Sequence, residues 1–236
     1  MPEFMMLIHE NQAASASLAP GETRLLLEQQ ASYARQLQAS ASFVDGERLR
    51  PSAEGRRVSR DAGGGCRIES GPFSEPTLEA YYVLRAADLD AALELAVQCP
   101  IAPGAELEVR PVMSGQFEPE KTSQKGRVFA FAVLGAAPNE RSWIDVMDRI
   151  DERTRDHFPE HQFRGGARLE APSRGRHVGS AAGRRAVFDG PFLESKEVIG
   201  GLFFMRMGSL DEAVEWASGS AFVEHGALEI RELWRS

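Results

Sequence analysis

The sequence predicts an α+β protein made of two diverged copies of one split βαβ layer, each copy carrying an inserted hairpin. Three observations carry that prediction. Four short motifs recur in the same order at a nearly constant offset. The apolar pattern switches between strand and helix periods in the same succession in both halves. A glycine-containing turn flanked by arginines stands at the equivalent place in each half.

The repeat rests on particular residues. Ser70-Gly-Pro-Phe-Ser-Glu75 matches Asp189-Gly-Pro-Phe-Leu-Glu194, a shift of 119 residues. Upstream, Gly46-Glu-Arg-Leu49 matches Gly166-Ala-Arg-Leu169, and Pro-Ser follows each within a few residues. Downstream, Asp88-Leu-Asp-Ala-Ala-Leu93 matches Ser209-Leu-Asp-Glu-Ala-Val214. Finally, Gly104-Ala-Glu-Leu-Glu-Val-Arg110 matches Gly226-Ala-Leu-Glu-Ile-Arg231 with one residue slipped. Repeats of this kind fix the fold before any single element does.

In the first copy, Phe4–Ile8 is a short apolar strand. Pro20 opens a helix reaching about Ser40, since proline is tolerated in a first turn. Phe43–Leu49 is a strand, and Arg57–Arg60 and Cys66–Glu69 form a hairpin about Asp61-Ala-Gly-Gly-Gly65. Tyr81–Leu84 is the next strand. Leu89, Ala92, Leu93, Ala96 and Val97 then share one helical face, and Glu106–Val112 closes the copy as a strand. In the second copy, Val128–Leu134 is the first strand and a helix follows from about Asn139. Gly179–Gly183 makes the hairpin, Leu202–Met207 a strand, Leu210–Ala217 a helix and Ala227–Leu233 the last strand. Met113–Gly126 is polar and turn-rich, which reads as a linker between domains 1–112 and 127–236. Each domain is therefore expected to be ferredoxin-like, βαββαβ with an inserted hairpin. One such layer leaves a sheet face open, and two copies can cover those faces mutually as an intramolecular pseudo-dimer.

Composition narrows the functional classes. A net charge of −8 opposes nucleic-acid binding, which needs a basic surface. No apolar run approaches the ~20 residues that cross a bilayer, and Met1–His9 lacks the basic start of a secretory signal. Cys66 and Cys99 have neither metal-ligand nor redox spacing, so free thiols in a reducing cytoplasm are expected. The charge is uneven: six arginines fall within 46–67 and six within 164–185.

Asp189-Gly-Pro-Phe-Leu-Glu-Ser-Lys-Glu-Val-Ile-Gly-Gly201 resembles the signature of the YCII-related, or DGPF-domain, proteins. The opening Met-Met-Leu-Ile strand and the closing Leu-Glu-Val-Arg-Pro111 look like that family's edges. The resemblance implies a ferredoxin-like fold of the dimeric α+β barrel type and a bacterial, cytoplasmic protein. For many members it implies a gene near an extracytoplasmic-function sigma factor. Most members have no established reaction, while a few relatives are similar to lyase-type enzymes that use a His/Asp pair on small aromatic substrates. The first copy departs from the signature, with Ser70 in place of Asp and a shortened Pro76-Thr-Leu-Glu79-Ala segment. A pocket built by the motif is therefore expected in the second copy.

The motif itself has two readings. Asp189 can cap a turn that Gly190 and Pro191 shape, with Phe192 in the core. Alternatively the turn holds Asp189 at a pocket edge as a catalytic acid or base, with Glu194, Lys196 and Glu197 nearby and Gly200-Gly201 admitting a ligand. His9 at a strand end, and Arg110 and Arg231 at matched positions of the closing strands, are further ligand-binding candidates. No metal site is expected, because Pro159 interrupts the helix that would align His157 and His161. No cofactor is expected either, as nucleotide-binding glycine loops and the Gly-x-Ser-x-Gly elbow are absent. The arginine-rich hairpins are either solvated edge ribbons or a basic ridge for an acidic protein partner. Two functions follow: a small-ligand-binding or regulatory module using the pseudo-dimer cleft, alone or in a higher homo-oligomer, or a lyase-like enzyme built on Asp189. The first is preferred, because no second catalytic group stands beside Asp189 in the sequence.

Overall fold

The computed structural model describes residues 1–117, 126–135, 145, 148, 162–181, 184–189 and 198–234. In chain order its strands are β1 (Glu3–Glu10), β2 (Phe43–Leu49), β3 (Arg56–Arg60), β4 (Cys66–Ser70), β5 (Thr77–Arg85) and β6 (Glu106–Phe117). There follow β7 (Arg127–Gly135), β8 (Phe163–Leu169), β9 (Arg176–Ala181), β10 (Arg184–Asp189), β11 (Val198–Met207) and β12 (Ala227–Trp234). The helices are α1 (Gln12–Ala16), α2 (Pro20–Gln38), α3 (Leu89–Val97) and α4 (Leu210–Gly219). None is long and apolar enough to cross a membrane.

The chain divides into two units, and each takes a piece from both halves of the sequence. Unit 1 is Met1–Arg48, Ser74–Val112 and Pro172–Glu194; unit 2 is Leu49–Phe73, Met113–Ala171 and Ser195–Ser236. In unit 1, β1 lies between β5 and β6, β2 lies outside β5, and the β9–β10 hairpin extends the sheet beyond β6. In unit 2, β7 lies between β11 and β12, β8 lies outside β11, and the β3–β4 hairpin extends the sheet beyond β12. Both orders are those of an antiparallel ferredoxin-like sheet with two extra strands. In both, the extra hairpin comes from the other half of the sequence.

Local chemistry explains the recurring motifs. Asp88 and Ser209 are N-caps: the Asp88 carboxylate accepts the Ala91 N–H at 2.9 Å, and the Ser209 hydroxyl accepts the Glu212 N–H at 3.1 Å. The first hairpin turns because Asp61 Oδ1 accepts the N–H groups of Gly63 and Gly65, each at 2.8 Å, while Gly64 sits at φ +81°. Helix α2 starts on Pro20, and Glu22 reaches back to the Ala19 N–H at 3.0 Å. The short helix α1 has no counterpart in the sequence reading; Asn11 caps it through the Ala14 N–H.

Alternation along the strands builds a core in each unit. Phe4, Met6, Ile8, Ala80, Leu84, Leu107 and Val109 pack with Tyr33 and Leu37 of α2, Ala92, Leu93 and Ala96 of α3, and Val178 of β9. In unit 2, Phe129, Phe131, Phe203, Met205, Leu228 and Ile230 pack with Ala213 and Ala217 of α4 and Val58 of β3. Each swapped hairpin thus places a valine in the core of its unit. Two expectations change at the edges of these elements. β6 continues through Phe117, beyond the expected start of the linker at Met113, where it is neighboured by β8. The helix expected from Asn139 and the tip of the second hairpin lie outside the described residues.

The two sheets share one irregularity. The β1–β5 register shifts between Ile8 and His9, which leaves Glu79 opposite no residue; the β7–β11 register shifts at the matched place and leaves Gly200 so. Such bulges re-aim the side chains around them. Here the two sheets differ most.

Candidate functional site

Two polar groupings are buried within the units. The first sits on the closing strands. Glu108 and Arg110 are two residues apart on β6, so their side chains leave one face of the strand. Arg110 is 0% exposed, and its Nη1 lies 3.2 Å from Glu108 Oε1. From the neighbouring β1, His9 Nε2 lies 3.8 Å from the other oxygen of that carboxylate. Burial alone would push the Glu108 carboxyl up, but the Arg110 charge and His9 outweigh it and hold the group below its ordinary value.

Unit 2 repeats the arrangement with different neighbours. Arg231 Nη1 lies 3.5 Å from Glu229 Oε1, and its Nε donates to the Arg50 carbonyl at 2.7 Å. Arg57 of the swapped hairpin donates to Glu229 Oε2 at 2.9 Å. In unit 1 the residue opposite Glu108 on the swapped hairpin is His177, just as Arg57 is opposite Glu229. Gly55 and Gly175 make room for the arginine stems: a Cβ there would stand 2.9 Å from Arg231 Cγ and 2.5 Å from Arg110 Cγ, respectively. These sets place a fixed, neutralised charge pair in each sheet.

The second grouping lines a small, open cleft in unit 1. Ile8 and Glu10 come from β1, Glu79, Ala80 and Tyr82 from β5, and Arg48 from β2. Gln30 and Tyr33 of α2 and the Cys99–Pro100 turn complete it. Tyr33 and Tyr82 meet edge to face, with ring centroids 5.8 Å apart, and the Tyr33 hydroxyl donates to the Leu95 carbonyl. Gln30 holds Arg48 through its Oε1 and the turn through the Pro100 carbonyl, both at 3.3 Å. Burial pushes the Cys99 thiol and the Tyr82 hydroxyl each up to about 12, so both are neutral at physiological pH.

The acids of the cleft are held differently. Glu79 accepts from Gln12 Nε2 at 2.5 Å and from the Thr77 hydroxyl at 2.9 Å. Glu10 is 6% exposed, and its Oε2 accepts from the Ser15 hydroxyl of α1 at 3.1 Å. Its Oε1 has no hydrogen-bond donor among the described residues. Burial raises the Glu10 carboxyl above its ordinary value, and the nearby Glu79 charge adds to this, while Ser15 and Arg48 oppose it. A raised carboxyl in an aromatic-walled cleft can bind, or exchange a proton with, a small ligand.

The residues singled out in the sequence are dispersed. His9 and Arg110 come together on Glu108, whereas Arg231 belongs to the matching set in unit 2. Asp189 ends β10 with its side chain 89% exposed, and Arg176 Nε across the hairpin lies 2.5 Å from its Oδ1. Gly200 is the bulge residue of β11. Gly201 is tightly approached by backbone, since a Cβ there would stand 2.5 Å from the Ala167 carbonyl of β8. Glu194, Lys196 and Glu197 lie outside the described residues, as do Phe192, His157 and His161. Of the hairpin arginines, Arg60 donates to the Ser218 carbonyl and Arg185 to the Cys99 carbonyl, and Arg57 lies over the Phe73 ring. Cys66 and Cys99 are free thiols, the first exposed and the second buried.

Sequence reasoning missed Glu108, Glu229 and the acids of the cleft. The first two were legible: Leu-Glu-Val-Arg110 and Leu-Glu-Ile-Arg231 each put an acid two residues before an arginine, on the same face of an otherwise apolar strand. Glu10 and Glu79 carried no comparable signal, because their proximity depends on the bulge.

The family model of the YCII-related domain matches residues 121–236. The second half of the chain is a YCII-related domain. That span takes in β7 to β12, including both strands of the hairpin that the YCII-related domain contributes to unit 1. No curated protein matches the chain. Two solved structures resemble it distantly. One is a candidate chlorite dismutase, TA0507, at 9% identity and a TM-score of 0.41, covering 100% of this chain and 96% of that one. The other is a candidate monooxygenase from Fusobacterium nucleatum, at 13% identity and a TM-score of 0.44, covering 98% of this chain and 91% of that one. Likeness at that level bears on neither chemistry nor ligand.

Proposed function

We propose that this protein is a small-molecule-binding module in which residues 1–112 and 127–236 are two copies of the YCII-related fold, and that its ligand occupies the unit 1 cleft. The observation that carries the reading is the Glu10 carboxylate, buried at the cleft with one oxygen lacking a donor. That oxygen offers a charged acceptor to a ligand N–H or O–H that enters the cleft. The alternative, a lyase-like enzyme with Asp189 as acid or base, has less support: that carboxylate is on the surface, paired with Arg176, and does not line the cleft.

The test is a mixed set of small amines, acids and alcohols, followed by ligand-observed NMR and thermal shift on three proteins. At tenfold excess over Kd a ligand adds about 1.4 kcal/mol, and for a chain of this size Tm rises by roughly 3–5 °C. Binding is expected in wild type and in Asp189→Asn, and is expected to vanish in Gln30→Trp, which fills the cleft mouth. Binders that ignore Gln30→Trp, or that are lost with Asp189→Asn, place the site elsewhere.

A further inference from the structure

We infer that the unit 1 cleft selects a small organic cation, an ammonium or amidinium group on a short apolar or aromatic body, with Glu10 Oε1 receiving its charge. This rests on the cleft being a binding site and adds the class of ligand.

Charge balance is the first argument. The cleft holds two carboxylates, Glu10 and Glu79, against one guanidinium, Arg48. Cys99 and the two tyrosines contribute no charge, because burial keeps their protons on. Among the residues that line it one negative charge is left over; Arg185, which donates to the Cys99 carbonyl, is not one of them. An anion would be opposed by both acids, and the Arg48 Nη1 that could receive it donates instead to Gln30. A neutral ligand would leave the excess charge buried. A monovalent cation cancels it.

The donor set is the second argument. Glu79 Oε1 is taken by Gln12 and Thr77 and Glu10 Oε2 by Ser15, whereas Glu10 Oε1 accepts from no described residue and can meet an incoming N–H. A divalent metal ion is a poorer match, since no group of three or more His, Cys, Asp or Glu side chains is gathered among the described residues. The walls favour an organic cation: Tyr33 and Tyr82 offer aromatic faces and edges, while Ile8, Ala80 and Pro100 give it an apolar seat.

Comparison between the units is the third. Register places Gly135 at the position of Glu10, Gly200 at that of Glu79 and Phe203 at that of Tyr82. Arg168 is retained at the position of Arg48. The first copy therefore carries two acids and a tyrosine that the second lacks on the same scaffold. Maintaining two buried acids side by side opposes stability, and a cation would relieve that opposition.

The probes are benzylamine, benzyl alcohol and benzoate, titrated by calorimetry against wild type, Glu10→Gln and Glu79→Gln. Expected is benzylamine binding at least tenfold tighter than either analogue at pH 8. Its affinity is expected to rise with pH from 5 and then level off, because the cation competes with the proton that the raised Glu10 carboxyl retains. Glu79, Arg48, Ser15 and Cys99 surround that carboxyl, and Glu79→Gln separates the neighbouring acid's part in the trend from that of Glu10. Glu10→Gln is expected to lose the amine preference and the pH dependence while keeping the weak binding of benzyl alcohol; Glu79→Gln is expected to weaken the amine less. Equal binding of alcohol or benzoate in wild type, or an amine preference that survives Glu10→Gln, overturns the cation assignment but leaves the cleft a binding site. The cation assignment is overturned in the same way if other fragments occupy the cleft and benzylamine does not. If no fragment depends on Gln30→Trp, the underlying reading fails as well.

Discussion

Replacing Arg110 with methionine removes the guanidinium whose Nη1 lies 3.2 Å from Glu108 Oε1, at a site with 0% exposure. Methionine fills the space of the arginine stem, so the main loss is electrostatic. Glu108 is left with His9, 3.8 Å from its second oxygen. Breaking one side of a buried pair costs about 3–5 kcal/mol. At roughly 2–4 °C per kcal/mol for a chain of this size, Tm falls by about 6–20 °C. The loss depends on pH in a definite direction. In wild type the folded Glu108 carboxyl titrates below its ordinary value, so its contribution is present above the unfolded value and disappears as pH falls through the folded one. In Arg110→Met burial is no longer outweighed, the carboxyl titrates higher, and the deficit is greatest near pH 8. It shrinks toward pH 5 as the carboxyl takes up a proton. Glu108→Gln in the same background removes the orphaned charge and is expected to restore part of the loss. Urea unfolding of the three proteins at pH 8 and pH 5 measures each quantity. A loss below about 1 kcal/mol at pH 8, or a double variant no more stable than Arg110→Met, refutes the reasoning.

Two further predictions concern the swapped hairpins. Gly175→Ala places a Cβ 2.5 Å from Arg110 Cγ and 2.9 Å from the Val109 carbonyl; the backbone oxygen cannot yield, and about 1–3 kcal/mol of stability is expected to go. An unchanged unfolding midpoint would show that the hairpin sits less tightly on β6 than these distances state. Separately, residues 1–117 expressed alone lack the hairpin that completes their sheet, and residues 126–236 lack theirs. Neither is expected to unfold cooperatively as a monomer, while the two co-expressed are expected to copurify. A monomeric, cooperatively folded 1–117 would contradict the exchange.

Most of the fold was legible because each half of the sequence states it locally. Asp88 and Ser209 announce their helices as N-caps, Asp61 and its glycines announce a hairpin, and the alternation in Leu-Glu-Val-Arg110 announces a strand with one polar face. The exchange of hairpins was not legible. Val58 and Val178, Arg56 and Arg176, and Gly55 and Gly175 are matched, so each hairpin carries the residues that either closing strand requires. Partner choice between near-equivalent edges is a property of the whole chain, and no local pattern records it. The continuation of β6 through Phe117 escaped for a related reason: Ser114, Gly115 and Gln116 have turn-like composition, yet β8 lies beside β6 and gives their backbone groups a partner.

The site diverges from the signature for a physical reason. Asp189 drew attention because it opens a recurring motif, but a turn motif records what the chain needs in order to bend, and its carboxylate ends on the surface against Arg176. The cleft acids occupy a place no motif marks. Glu79 is the residue that a register shift adds to β5, and Glu10 lies on β1 just past that shift. In β11 the added residue is Gly200, which brings no side chain, and Gly135 stands opposite the bulged segment where Glu10 would be. A bulge releases one residue from strict alternation, so its side chain can change without disturbing the ladder on either side. The irregularity common to the two sheets is therefore a place where one can hold charge while the other stays apolar. The half with the weaker signature is the one that carries the polar cleft.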